Sequence, residues 1–326
     1  MVSFMRKKFI CSIILLGLTF GWSYAQLPTV LALAPDARST GMGDMGVATS
    51  PDINSQYFNV AKYAFLDKAG IALSYSPWMR KLSPDMNTLY LAGHTRLGDN
   101  NYLSGSVSFF SLGEIILSDG VVADTRNPSE WAVDIGYARR LTPNISLGMA
   151  FRYVSAVYAD WDLFVISSAG AIAADVGAYF QYPVGKHQLS AGLSVANIGT
   201  QLNFGGDTRV SLPMALRLGA NYLFNLSENH ALSLGAELNQ PFIYGAKNSL
   251  SQALLGVGAE YDWQKMLFFR TGYLYSDKNH GDRSHLSLGA GINYMSIGFD
   301  ISYWLPMFSS NNALDNTIHL TLSYRF

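Results

Sequence analysis

The chain is poor in cysteine and in charge, and past its first twenty residues it has no long apolar run. Its one cysteine, Cys11, lies in the apolar stretch 9–20, behind Arg6, Lys7 and Lys8. That stretch is too short to cross a bilayer as a helix. Ser23-Tyr24-Ala25 then supplies a small-x-small cleavage pattern before Gln26. Residues 1–25 therefore read as a secretory signal peptide. Cys11 sits inside its apolar core, not just after a cleavage site, which argues against a lipid-anchored lipoprotein and leaves the mature chain without a disulfide or thiol chemistry. Basic residues are scarce too. Without the three in the signal, nineteen remain against 23 acidic ones, a charge of about −4. No basic patch points to a nucleic-acid partner. No histidine spacing suggests zinc and no loop carries a calcium pattern, so no metal or other cofactor is expected.

What is present is alternation. Charged residues make up 14%, aromatics 13%, and there are 30 glycines, against about a quarter charged in soluble domains. Mean hydropathy is nevertheless only +0.13. Strands with one face in lipid and one in a polar lumen reconcile these values. The last ten residues, TIHLTLSYRF, show the pattern. Ile318, Leu320, Leu322, Tyr324 and Phe326 share one face, and His319, Thr321, Ser323 and Arg325 the other. The terminal Phe suits an interfacial aromatic girdle. Period-2 segments recur at 71–76, 89–96, 103–110, 131–139, 145–153, 174–180, 189–195, 214–222, 232–238, 255–261, 267–275, 286–294, 297–303 and 318–326. That predicts an all-β membrane protein, a fourteen-stranded antiparallel outer-membrane β-barrel over 70–326, with the last strand pairing with the first. Short links (97–101, 142–144, 183–186, 225–229, 262–265) alternate with long ones (77–87, 113–129, 155–169, 198–211, 240–249, 276–282, 305–316), as periplasmic turns alternate with external loops.

The same phase places Asp134, Arg152, Asp175, Arg217, Glu237, Glu260, Arg270 and Asp300 inward, because charge on the lipid face near midplane costs about 2–4 kcal/mol for Arg. It also places a run of glycines inward, from Gly136 to Gly298. Such glycines permit close approach of something packed within. The lumen charges read either as a transport path or as a paired network holding a plugged lumen together. Residues 26–69 do not alternate and form a compact segment able to fold into the lumen, with Ser50-Pro51-Asp52 resembling a helix start. Its Gly41, Gly43 and Gly46 are no dinucleotide fingerprint, since no βαβ unit surrounds them.

The stretch APDARSTGMGDMGVATSPDINSQYFNVAKYAF, followed by SYSPWMRKLSPD, LYLAGHTRLGD and FFSLGEI, resembles the N-terminal signature of the PorV family, outer-membrane proteins of the Bacteroidetes type IX secretion system, over residues 27 to 117. Two departures stand out. Asn59-Val60-Ala61 replaces the usual Asn-Pro-Ala, and the outer loops are modest, as in a PorV/PorQ-type paralogue. The resemblance implies a FadL-like barrel whose segment 26–69 is an N-terminal hatch, with Pro35, Asp36, Arg38, Gly41, Gly43, Asp44, Gly46, Asn54 and Asn59 as signature residues. It implies a non-enzymatic shuttle for secreted cargo. Its partners would be cargo C-terminal domains, a translocon barrel of SprA/Sov type, the sortase PorU and outer-membrane lipid. Exposed aromatic and Met residues suit protein recognition. The expected contacts on external loops are therefore Pro77, Trp78, Met79 and Arg80, then Tyr158 and Trp161, then Trp304, Pro306, Met307 and Phe308. Interfacial anchoring is the alternative role for each. The alternative function is FadL-like transport of hydrophobic small molecules, with Asp44, Asp52, Asn59 and the lumen charges controlling passage. An enzyme would need a nucleophile and base at one rim; His280, Asp282, Ser284 and His285 cluster in one external link but read as a solvated loop.

Overall fold

A computed structural model describes residues 28–78, 85–118, 123–160, 165–206, 208–242, 252–277, 283–305 and 317–326. The strands are β1 (Gly70–Pro77), β2 (Asn87–Leu97), β3 (Asn101–Ser111), β4 (Ile115–Ser118), β5 (Ala123–Arg126), β6 (Ser129–Arg140), β7 (Ile145–Asp160), β8 (Val165–Val184) and β9 (His187–Gly199). They continue as β10 (Leu202–Asn203), β11 (Arg209–Val210), β12 (Met214–Asn225), β13 (His230–Phe242), β14 (Leu254–Trp263), β15 (Leu267–Tyr275), β16 (His285–Tyr294), β17 (Ile297–Leu305) and β18 (Ile318–Arg325). Fourteen of them close a barrel. β4–β5 and β10–β11 are separate two-stranded hairpins in the connections.

Each of the fourteen period-2 segments is a barrel strand. β1 pairs with β18 in antiparallel register, from Gly70 opposite Arg325 to Tyr75 opposite Leu320, so the sheet has no open edge. In lipid an unpaired backbone group costs several kcal/mol, and this seam removes the last row of them. Side chains alternate as the sequence predicts. Ile71, Leu73 and Tyr75 point out, while Ala72, Ser74 and Ser76 are buried inside. Tyr182, Trp263, Tyr294 and Phe326 stand exposed near the rim that carries the short turns, as an aromatic girdle requires.

Two expectations are corrected. Link 155–169 is mostly strand: β7 and β8 continue as a paired ribbon to Asp160 opposite Val165. Small inward residues such as Ala156, Ala169 and Ala171 give too little hydropathy contrast for the alternation to be read. Ser50-Pro51-Asp52 does not start a helix. The helical turn comes later, at Ser55–Phe58, because the Asp52 backbone and carboxylate are engaged by Ser55 and Arg38.

Residues 28–69 lie inside the barrel. They run from the long-connection rim, where Glu130 accepts the Val30 amide at 2.7 Å, to the short-turn rim, where the Phe326 amide donates to the Ala69 carbonyl. Between these ends the segment turns through Ala37–Thr40, Ser55–Phe58 and the 3-10 turn Val60–Phe65. Ala37–Thr40 sits on β16–β18 and Val60–Phe65 on β6–β8. Glycines on the wall admit its backbone. A Cβ on Gly272 would collide with the Met42–Gly43 backbone, one on Gly192 with Val47 and one on Gly148 with Val60–Ala61. Replacing Gly272 by Val should therefore loosen the inner segment by about 1–3 kcal/mol without opening the seam. Limited proteolysis should then cut within 28–69 while the folded barrel keeps its heat-modifiable gel mobility.

Candidate functional site

The chemistry of this molecule is concentrated where the inner segment meets the wall. Asp36 caps Ala37–Thr40 by accepting the Ser39 amide at 2.9 Å. The turn is then tied to the seam: Thr321 Oγ1 accepts the Ala37 amide, and the Thr40 and Ser302 hydroxyls lie 2.7 Å apart. Gly41 packs on Gly289 of β16. Gly43 and Asp44 both take left-handed conformations, φ 71° and 57°, which turns the backbone tightly over β14 and β15. Gly43 does so freely, and Asp tolerates this region better than most side chains.

The inward charges predicted from strand phase are all found on the lumen side, and several hold the segment. Arg38 joins Asp52 at 2.8 Å and Glu260 of β14 at 2.8 Å. Arg270 of β15 donates to the other Glu260 oxygen at 2.6 Å and to Asp300 at 2.6 Å. The result is one chain of ion pairs, Asp52–Arg38–Glu260–Arg270–Asp300. Glu237 accepts the Gly46 and Val47 amides at 2.7 and 2.8 Å. Arg217 donates to the Tyr57 carbonyl and lies over the Tyr57 and Phe58 rings. Asn59 donates to Val47 of the segment and Ala178 of the wall. A second network, Arg152 with Asp134, Asp175 and Asn197, stays within the wall at a bulge where Asn197 has φ 60°.

Sequence reasoning missed Lys62, which is 1% exposed and donates from Nζ to the Gly46 carbonyl and Thr49 Oγ1. Nothing in AKYAF marks that lysine as buried except the apolar residues around it.

The loop residues fare differently. Trp78 and Trp304 are not exposed: they are 3% and 2% accessible and meet edge to face at 5.6 Å. They turn into the lumen and join Val30, Leu31, Phe110 and Leu202 in an apolar cluster under the long-connection rim. Both continue the inward phase of their strands, Trp78 after Ser74 and Ser76 of β1 and Trp304 after Asp300 and Ser302 of β17. Tyr158 is half-buried, donates to Glu130 and stacks on Phe204. Met79, Arg80, Trp161, Pro306, Met307 and Phe308 lie outside the described residues, as do His280 and Asp282. His285 is no solvated loop residue; it is buried and stacked on Trp304 at 4.0 Å. His319 lies inside the lumen, beside the same indole. Pro35, Asp36, Arg38, Gly41, Gly43, Asp44, Gly46, Asn54 and Asn59 all lie in the segment that contacts the wall, and none lies on an external loop.

Comparison with known proteins adds two findings. The sequence model of the family described as type IX secretion system protein PorV matches residues 24–247, well over half of the chain. Among solved structures, the Pseudomonas putida toluene transporter TodX is similar at a TM-score of 0.56 and 12% identity, over 94% of this chain and 99% of that one. The Ralstonia pickettii toluene transporter TbuX is similar at 0.55 and 13%, over 89% and 97%. A Pseudomonas aeruginosa FadL homologue gives 0.50 and 13%, over 90% and 98%. At these identities the likeness is one of fold. No curated protein matches the chain.

Removing one partner of a buried ion pair strands the other, at a cost of about 3–5 kcal/mol. Arg38→Gln should lower the urea midpoint for release of the segment by that equivalent, and Arg38→Gln with Glu260→Gln should lower it by less than the two single losses combined.

Proposed function

The chain belongs to the PorV family of type IX secretion system proteins, and it forms an integral outer-membrane β-barrel of the FadL-like kind; from that premise we propose that it is a shuttle for secreted cargo. It would bind C-terminal domains of cargo at a translocon barrel of SprA/Sov type and hand them to the sortase PorU at the cell surface. In this reading residues 26–69 act as a hatch, and recognition falls to the external loops, with Met79, Arg80, Trp161, Met307 and Phe308 as the residues to test. Tyr158, Trp78 and Trp304 would support those loops from below.

The observation that carries the reading, beyond family membership, is the filled lumen. Among the described residues, fifteen buried ones form an apolar cluster beneath the long-connection rim, and Arg38, Glu237, Arg217 and Glu130 each hold the inner segment. A protein that works by surface recognition needs no open path. The alternative, transport of hydrophobic small molecules, is favoured by the fold likeness to barrels named as toluene transporters. It requires that cluster to part and the segment to shift. Both readings are non-enzymatic.

A deletion strain separates them. Loss of a shuttle leaves cargo with its C-terminal domain unprocessed and inside the cell, seen by immunoblot, and the intact gene restores secretion. Normal cargo processing with reduced uptake of an apolar nutrient would replace the shuttle by the transporter.

A further inference from the structure

The wall does not end at one height. β7 and β8 run on as a paired ribbon to Asp160 opposite Val165, whereas β9 leaves β8 at Gly199 opposite Ala173. One residue higher, Thr200 closes the ladder: its N–H donates to the Ile172 carbonyl, and its Oγ1 accepts the Ile172 amide. The chain then turns inward, and Leu202 is buried in the apolar cluster. Successive residues of an antiparallel strand direct their N–H and C=O to opposite neighbours. Ile172 bonds toward β9, so Gly170 and Ser168 face that side too, while Ala171 and Ala169 face β7. Among the described residues, no hydrogen-bond partner meets Gly170 or Ser168 on that edge. Both are exposed.

The edge opens where water can reach it. Gly170 lies level with Ser155 and Trp131. Trp131 packs on Tyr153 at 5.4 Å, and both rings are exposed, as in an aromatic girdle at the long-connection rim. The unpaired stretch therefore starts at the interface and rises above it, and the rule of short periplasmic turns sets this rim outside the cell. Natural sheet edges are guarded by lysine, proline or inward charge. Residues 165–173, VISSAGAIA, carry no charge and no proline. Ser168 and Gly170 on one face and Ala169 and Ala171 on the other are small, so no bulky side chain of this stretch bars a neighbouring backbone.

Unpaired N–H and C=O groups along an extended strand are complementary to the backbone of another extended strand. We propose that the β8 edge at Ser168 and Gly170 is a docking edge to which a partner protein outside the cell adds one β-strand. A second copy of this chain does not fit. A two-fold axis along the membrane normal would set Ser168 against Ser168, with N–H facing N–H instead of C=O. Main-chain bonds supply the affinity, and the small faces leave the partner's sequence little constrained. The Tyr153 hydroxyl lies where a Cβ on Gly170 would be, so this ring flanks the added strand and favours a β-branched residue beside it. The edge serves any partner with an extended segment, cargo or not, so this inference stands apart from the shuttle reading.

The test uses the full chain in detergent micelles and a fluorescein-labelled Gly-Ser-Val-Thr-Val-Thr-Val-Ser-Gly peptide, with binding read by anisotropy. The expected result is saturable binding that weakens by at least roughly tenfold when every Val and Thr of the peptide is N-methylated, and by a similar factor in Ser168→Pro. Proline there removes a donor from the free edge and none from the β7 ladder. At saturating peptide, hydrogen exchange of the Ser168 and Gly170 amides should slow. No saturable binding overturns the proposal, as does equal binding of the N-methylated peptide or binding unchanged in Ser168→Pro. Slowing of the same amides by raised protein concentration alone, without peptide, overturns the assignment to a partner protein in favour of a second copy. The methylation and exchange measurements use the unaltered chain, so they decide the matter if the variant does not fold.

Discussion

Everything here depends on a requirement of the membrane interior: each backbone N–H and C=O facing lipid must find a partner within the protein. A sheet satisfies this only by closing on itself, and closure forces the first strand onto the last. The β1–β18 ladder is that closure. It fixes the phase of every strand in between, because a slip of one residue would send a lumen arginine into lipid. The inward glycines, the ion pairs and the contacts of the inner segment all inherit their positions from this one seam.

Closure creates a second problem, an interior lined with charge. Water could solvate it, but residues 28–69 do so instead for much of the wall. Glu237 and Glu130 each receive backbone amides, and Arg217 receives a carbonyl and two ring faces. Buried ion pairs add little net stability, since desolvation offsets attraction, but they punish the wrong arrangement heavily. The chain from Asp52 to Asp300 therefore acts mainly to specify how the segment sits. The glycines opposite Met42, Val47 and Ala61 set how closely it can approach.

Much of this was legible in the sequence. Strand phase identified the barrel, the lumen charges and the glycine face, since period-2 alternation is local and strong in residues such as Ile71–Tyr75. Where inward residues are small, as along Ala169 to Ala173, the contrast fades and strand read as loop. Trp78 and Trp304 were misplaced for another reason. Each continues the inward phase of its strand, Trp304 after Asp300 and Ser302 within β17 and Trp78 after Ser74 and Ser76, so alternation carried past the expected strand ends turns both inward. The signature residues of the segment were recognisable, but their partners were not. That Arg38 meets Glu260, 222 positions away, follows from closure and from the path of the segment, which no local pattern encodes. Lys62 escaped notice because its burial comes from the wall around it.

The ties between Ala37–Thr40 and the seam also bear on the order of assembly. Thr321 and Ser302, which receive this turn, belong to strands near the end of the chain, whereas the turn itself is among its first residues. When synthesis and translocation deliver the chain from its N-terminus, the turn waits for partners nearly three hundred residues away. Arrival of β18 therefore does two things at once: it shuts the sheet and supplies Thr321, the acceptor of the Ala37 amide. Until then the turn has only part of its seat, on Glu260, Gly289 and Ser302 of the strands just before.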